Sequence, residues 1–312
     1  MKRRWWITGS LIGIILAGAV LLWSGCAPLT PFEDIQARVG PENFIEIDGH
    51  QIHVVRTGSG DPAVVLLHGV GASAYTFREI IPRLAEKRRV LAIDWFGFGW
   101  TERPAEPEPY TVPGQVAMIR AVLEKEGITR AHLFGHSFGA LLANAYAETH
   151  PETVASLTLL SPPATLGDTP RLMGSRPGRA VLYPLLRLFL SSETRFADMQ
   201  RRSYARPEQP TREEMENYRR RLLVEGLWSA LNGFFSGDEP APDALRYGVD
   251  GIPLMLLAGR QDPIVPLAQL EPLAQTTPGA RFEILDQSGH NAPEEQPRET
   301  VERLETFYRD IR

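Results

Sequence analysis

The strongest constraint on this chain is a set of short runs that are apolar throughout, spaced by stretches of helical periodicity. Ala63–Leu67 reads AVVLL and Val90–Ile93 reads VLAI, while Leu254–Ala258 reads LMLLA. Unbroken apolar runs of this length are strands buried on both faces, because a half-exposed strand would alternate. Phe44–Ile47, Gln51–Val55, Ala131–Phe134, Leu157–Leu160 and Phe282–Leu285 add further strand signals, with Asp48-Gly49 marking a hairpin between the first two. Tyr75–Glu86, Val116–Glu126, Ser137–His150 and Val301–Ile311 have helical spacing. Strand and helix in alternation predict an α/β fold with a mostly parallel central sheet flanked by helices.

Composition narrows the functional classes. With 312 residues and a net charge of −5, the chain has room for one such core plus an insertion and shows no basic excess calling for nucleic acid. Cys26 is the only cysteine, which excludes an intramolecular disulfide and a cysteine-rich zinc site. No repeat of solenoid or propeller period is present.

Chemistry enters at Gly135-His136-Ser137-Phe138-Gly139, which lies between a strand and an alanine-rich helix. In that setting the G-x-S-x-G pattern places serine on a sharp turn with its hydroxyl raised above the sheet. The flanking glycines let strand and helix approach without Cβ clashes, and Ala140 and Ala143 keep the helix close. The plain alternative is a serine that only caps a helix. A nucleophilic serine needs a base, and the base needs an acid to orient it. In this architecture the acid and then the histidine follow in chain order. Asp262 stands in Gly259–Pro266, directly after the strand PLMLLA, and His290 stands in Ser288–Asn291 after the last strand. Both occupy loops at carboxyl ends of strands, where α/β sheets bind ligands. Asp286 is the nearest competing acid but lies close to His290 along the chain, and His136 and the other histidines lack a comparable placement. Oxyanion donors are expected from the backbone N–H groups of Val70, in the turn His68-Gly69-Val70-Gly71, and of Phe138 beside the serine.

Taken together, His68-Gly69, Asp94–Gly99, the Gly135–Gly139 elbow, Asp262 and His290 make the chain resemble the α/β-hydrolase superfamily. The resemblance covers about residues 44–161 and 247–312, and it implies that Asp94 shapes the floor of the site. Haloalkane dehalogenases and most epoxide hydrolases of that superfamily use a carboxylate nucleophile, so Ser137 departs from both. Residues 162–246 resemble the helical cap that many members insert after the sixth strand. Thr211–Glu214 looks like a capping box there, and Val181–Leu190 and Leu227–Phe235 are apolar segments that either line an acyl pocket or pack on the core. Arg201-Arg202 and Arg219–Arg221 read as a solvated face, with anionic lipid as another partner. These expectations define a serine hydrolase of a small, apolar, ester-like substrate that uses no metal or organic cofactor. Carbon–carbon bond hydrolysis of diketone-like substrates, acyl transfer and perhydrolysis share the same triad. A binding protein on a hydrolase scaffold without turnover is the alternative outside enzymes.

The amino terminus is different in kind. Lys2, Arg3 and Arg4 precede an uncharged run from Trp5 to Trp23, long enough to cross a bilayer. Residues 1–25 are therefore expected to be a membrane anchor or signal segment, with 26–43 a linker and the catalytic domain on the non-cytoplasmic side. Ser24-Gly25-Cys26 resembles a bacterial lipoprotein cleavage box. Trp23 stands where that box has a small aliphatic residue, which favours a retained span over a lipidated Cys26.

Overall fold

The computed structural model describes residues 26–164, 176–235, 245–277 and 279–311. Among them, eight strands form one sheet in the order β1-β2-β4-β3-β5-β6-β7-β8. They are β1 (Phe44–Ile47), β2 (His50–Thr57), β3 (Ala63–Leu67), β4 (Val90–Ile93), β5 (Ala131–His136), β6 (Val154–Leu160), β7 (Leu254–Gly259) and β8 (Arg281–Leu285). Only β2 runs against its neighbours, β1 and β4, and the remaining pairings are parallel. The β1–β2 hairpin turns through Asp48 and Gly49 at φ 50° and 84°, the left-handed pair that matches strand twist.

Successive side chains point to opposite faces, and here both faces are covered. Val65, Leu67, Leu91, Ile93, Leu133, Leu157 and Leu256 join one core layer with helix α3 (Val112–Lys125) and helix α4 (Phe138–Thr149). Val64, Leu66, Ala92, Phe134, Met255 and Leu257 join the other, with α2 (Ile81–Ala85) and the carboxyl-terminal α11 (Pro297–Asp310). That two-sided burial is why the strands carry no polar alternation.

The helix expected over Tyr75–Glu86 is in fact two pieces, a 3-10 turn at Ala74–Phe77 and then α2. Pro82 has no N–H to give an ongoing helix and fits only a first turn, so the helix restarts there. The expected linker also needs correction. Within residues 26–43, Phe32–Val39 forms helix α1, whose fully buried Ile35 packs with Phe44, Trp100 and Val224.

After β6 the chain builds a cap of α5 (Arg176–Leu190), α6 (Glu193–Arg201), α7 (Arg212–Leu222) and α8 (Leu227–Phe235). Its own small core contains Leu190, Phe196, Tyr204, Met215, Tyr218 and Leu227. Thr211 and Glu214 form the reciprocal capping box that opens α7. The solvated arginine face expected from Arg219–Arg221 is present only at Arg220. Arg219 is buried, donating to Glu216 and to the Leu190 carbonyl at 2.9 Å, and Arg221 stacks over the rings of Tyr75 and Trp100. Arginine tolerates such sites because its flat guanidinium stacks and donates at once. Among the described residues no helix is long and apolar enough to cross a membrane, and the apolar run Trp5–Trp23 lies outside them.

Candidate active site

Ser137 sits where β5 gives way to α4. Its backbone adopts φ 54° and ψ −121°, a left-handed conformation that costs a non-glycine residue about 1–3 kcal/mol. The turn is this tight because both flanking positions lack Cβ. A Cβ on Gly135 would fall 2.3 Å from the Gly139 carbonyl oxygen, and one on Gly139 would fall 2.2 Å from that of Leu67. The Ser137 N–H donates to Leu160 O at 2.9 Å, tying the turn to β6. Its hydroxyl makes no capping hydrogen bond to α4, so the serine is at the helix start without serving as its cap.

The loops after β7 and β8 bring Asp262 and His290 together. His290 Nδ1 donates to Asp262 Oδ2 at 2.8 Å, with both side chains buried. Three further donors hold the carboxylate. Ser161 Oγ reaches Oδ2 at 2.7 Å, and the Ile264 and Val265 N–H groups reach Oδ1 at 2.8 and 2.9 Å. Burial pushes the Asp262 carboxyl up, but the hydrogen bond and charge of His290, with the Val265 and Ser161 donors, hold it below the usual carboxylate range. It is an anion fixed against the imidazole. Asp286, the competitor, is exposed and paired with Arg260 at 2.6 Å.

His290 meets the elbow through His136, whose ring lies 4.7 Å from its own. Burial, followed by the neighbouring His290, lowers His136 to about 3, so this imidazole stays neutral and is a poor base. The turn after β3 closes the site on the other side. A Cβ on Gly69 would stand 3.0 Å from the Ser137 Cβ, so the turn passes directly over the serine. The Trp95 indole donates to His68 O at 2.9 Å, and Gly69 O accepts from Ala72 N at 3.2 Å and from the His68 ring at 2.8 Å. Among the described residues the Val70 and Phe138 N–H groups have no hydrogen-bond partner. Both stay available to an incoming oxygen.

Asp94 lies beneath. It accepts from His53 Nδ1 at 2.8 Å, Ala74 N at 2.6 Å and Trp100 N at 2.8 Å. Burial opposes its charge, yet His53, His68 and the Ala74 N–H bring it down to about 2. These bonds fix the two loops that carry His68 and Trp95. Apolar rings stand beside the elbow, with Phe234 of α8 at 5.1 Å from Phe138 and 6.3 Å from Trp95.

A sequence profile of the α/β hydrolase fold matches residues 62–297. The chain belongs to the α/β-hydrolase family. Among its relatives, 2-hydroxymuconate semialdehyde hydrolase of Pseudomonas sp. (strain CF600) is 31% identical over 80% of this chain and 89% of that protein. Epoxide hydrolase A of Mycobacterium tuberculosis is 26% identical over 85% of this chain and 96% of its own. Pimeloyl-[acyl-carrier protein] methyl ester esterase of Aeromonas hydrophila is 28% identical over 82% and 98%, respectively.

Sequence reasoning missed three residues around this α/β-hydrolase site and set aside a fourth, His136. Ser161, at φ 47°, braces Asp262, and its only sequence signal is a polar residue directly after an apolar strand. His136 packs on His290. Ser203 of the cap accepts the His290 N–H at 2.8 Å through its carbonyl. Buried Glu295 accepts from Gly289 N at 2.9 Å, Asn291 N at 3.2 Å and Ala205 N at 2.7 Å. Nothing in the spacing of HNAPEEQP announces that its carboxylate folds back. Among the described residues no group of three or more His, Cys, Asp or Glu side chains is placed to hold a metal ion.

Proposed function

We propose that this α/β hydrolase is a serine hydrolase of carboxylic ester-like substrates, attached to a membrane by its amino terminus. The observation that carries the reading is the buried Asp262–His290 pair set beside a strained serine elbow. His290 takes the Ser137 proton as the serine oxygen attacks the carbonyl, and Asp262 steadies the imidazolium that forms. The carbonyl oxygen becomes an anion against the N–H groups of Val70 and Phe138, with the amino end of α4 adding its positive dipole. Collapse expels the alcohol, protonated by His290, and leaves an acyl-serine. Water then loses a proton to His290, attacks the acyl carbon, and frees the acid and Ser137. The apolar rings of Phe138, Phe234 and Trp95 favour an apolar acyl group. Ser137 in place of a carboxylate argues against epoxide opening through an alkyl-enzyme ester, although some relatives carry the name epoxide hydrolase.

A second reading, hydrolysis of a carbon–carbon bond beside a carbonyl, is favoured by the 31% identity to 2-hydroxymuconate semialdehyde hydrolase. A panel of p-nitrophenyl esters of increasing chain length, run beside a vinylogous diketone, separates the two. Turnover of the esters with none of the diketone is expected, and the reverse overturns the ester reading. Failure to label with a fluorophosphonate would point instead to a scaffold without turnover.

Attachment is supported by the uncharged run Trp5–Trp23 behind Lys2, Arg3 and Arg4, and the tendency of positive flanks to stay in the cytoplasm supports a hydrolase on the non-cytoplasmic side. Intact-mass measurement of the membrane-extracted protein is expected to give the full-length chain. A species starting at an acylated Cys26 would move the anchor to lipid.

A further inference from the structure

The first described residues of the chain are held on the cap. Ala27 N–H donates to Ser191 Oγ at 2.6 Å, at the corner between α5 and α6, and Arg187 reaches Ala27 O at 3.4 Å. Three residues later Thr30 pairs with the α7–α8 connection, donating to Leu223 O at 2.8 Å and accepting from Glu225 N at 2.9 Å. Ala27 and Leu29 also pack on the cap's apolar core. The strap is therefore part of the cap and not a free tether.

Short distances follow. At the helical rise of about 1.5 Å per residue, a crossing of a hydrocarbon layer of about 30 Å through Trp5–Trp23 would use nearly the whole run. On the proposed attachment Trp23 would fall at the interface, the level that tryptophan favours. From Trp23 to Ala27 even a fully extended chain reaches at most about 14 Å. The headgroup zone itself occupies about 6 Å of that gap. On that attachment the Ser191 corner would lie within this reach of the hydrocarbon edge.

The two helices that meet at that corner carry exposed apolar side chains. Leu185 on α5 is 55% exposed and Met199 on α6 is 47% exposed, two of the few large apolar side chains left in solvent among the described residues. Arg195, Met199 and Arg202 fall at i, i+4 and i+7, one helical face, and all three are exposed. Glu193 at the start of α6 is paired with Arg212 at 2.5 Å, while Asp198 stands exposed on the same face as Arg195 and Arg202, leaving that face one net positive charge. Apolar side chains flanked by arginines suit the boundary between acyl chains and anionic headgroups.

We infer that this corner of the cap, carrying Leu185, Arg195, Met199 and Arg202, docks on an anionic lipid surface, so that the cap faces the bilayer. The inference rests on attachment through residues 1–25, and the test keeps the two apart. Full-length protein with Cys26→Ser and a single added cysteine (Leu185→Cys, Met199→Cys, or Glu302→Cys on α11 as the distant control) is labelled with the environment-sensitive fluorophore NBD. Each is reconstituted in phosphatidylethanolamine–phosphatidylglycerol vesicles with and without doxyl-labelled lipid, and ester turnover verifies the fold. Flotation with the vesicles, together with blue-shifted emission quenched about twofold or more at positions 185 and 199 but not at 302, is the expected result. Flotation without quenching at 185 and 199 overturns the docking while attachment stands. Absence of flotation overturns attachment, and the docking with it.

Discussion

Replacing Asp262 by asparagine tests the assignment of the acid most sharply, because the structure dictates what the amide must do. The side chain is surrounded by four donors: Ile264 N and Val265 N on Oδ1, and Ser161 Oγ and His290 Nδ1 on Oδ2. The amide oxygen has to face the two backbone N–H groups, which cannot reverse. Its NH2 group then points at Ser161 and His290. A hydroxyl can turn to accept, but His290 accepts only by releasing its Nδ1 proton and holding the proton on Nε2. That tautomer has no lone pair to take the Ser137 proton. Loss of the correct tautomer lowers kcat by about 10⁴ in serine proteases, equivalent to about 5.5 kcal/mol of barrier. The expectation for Asp262→Asn is a loss of that order in kcat with KM little changed, and a stability cost of about 1–3 kcal/mol. Steady-state hydrolysis of p-nitrophenyl butyrate beside urea unfolding measures both. Asp286→Asn should leave kcat within about twofold, since an exposed ion pair contributes at most about 1 kcal/mol. Retained turnover in Asp262→Asn with collapse in Asp286→Asn would refute the reasoning.

Ser137→Ala should lower kcat by about 10³ or more and abolish fluorophosphonate labelling, and adding His290→Ala should cost little further because the residues act as a unit. Asp94 ionises at about 2 in the fold against an ordinary value of 3.8, so its stabilising effect is full above the ordinary value and is lost as pH falls toward 2. Asp94→Asn should therefore lose about 2 kcal/mol at pH 7, a difference that shrinks by roughly half at pH 3, and urea melts showing a pH-independent difference would contradict this. Phe234→Ala should shift kcat/KM toward longer acyl chains in the ester panel, whereas a ring that only packs would lower Tm and leave the preference unchanged. Glu295→Gln places an NH2 group against one of three backbone donors, so kcat should fall about tenfold as His290 loses its support, and unchanged kcat would show the loop stands alone.

The sheet was legible in the sequence because every central strand is buried on both faces, and AVVLL or LMLLA has no other comfortable reading. The elbow was legible for a steric reason: Gly135 and Gly139 are pressed against backbone oxygen at distances no Cβ tolerates. Asp262 and His290 were legible by position, each in the loop following a parallel strand. What stayed hidden depends on contacts remote in sequence. Ile35 looked like part of a linker because the helical spacing of Phe32, Ile35 and Val39 in FEDIQARV lasts barely two turns and gives no hint of the Phe44, Trp100 and Val224 side chains that bury it. Arg221 looked solvated because charge runs usually are, and only the fold shows Tyr75 and Trp100 on either side of it.

The cap bears on the chemistry through more than substrate shape. The His290 N–H donates to Ser203 O, Asn291 Nδ2 donates to Ser203 Oγ at 2.7 Å, and Gly289 lies so close to Tyr204 and Ala205 that a Cβ would meet the Ala205 nitrogen at 2.6 Å. One residue beyond this loop segment, α10 (Ala292–Glu295) carries the buried Glu294, which accepts from Arg78 at 2.8 Å, from Tyr204 at 3.0 Å and from Tyr218. Burial pushes Glu294 up, with Arg78 and the two phenols acting against that rise. The histidine loop is thus clamped between the core and the α6–α7 side of the cap. A rigid clamp fits a base that must hold its position through two proton transfers. On the proposed mechanism the cap then has two roles: the α6–α7 connection holds the histidine loop, and α8 sets Phe234 against Phe138 beside Ser137. Changes in the α6–α7 connection should therefore act on kcat for all substrates alike, while changes in α8 discriminate among them.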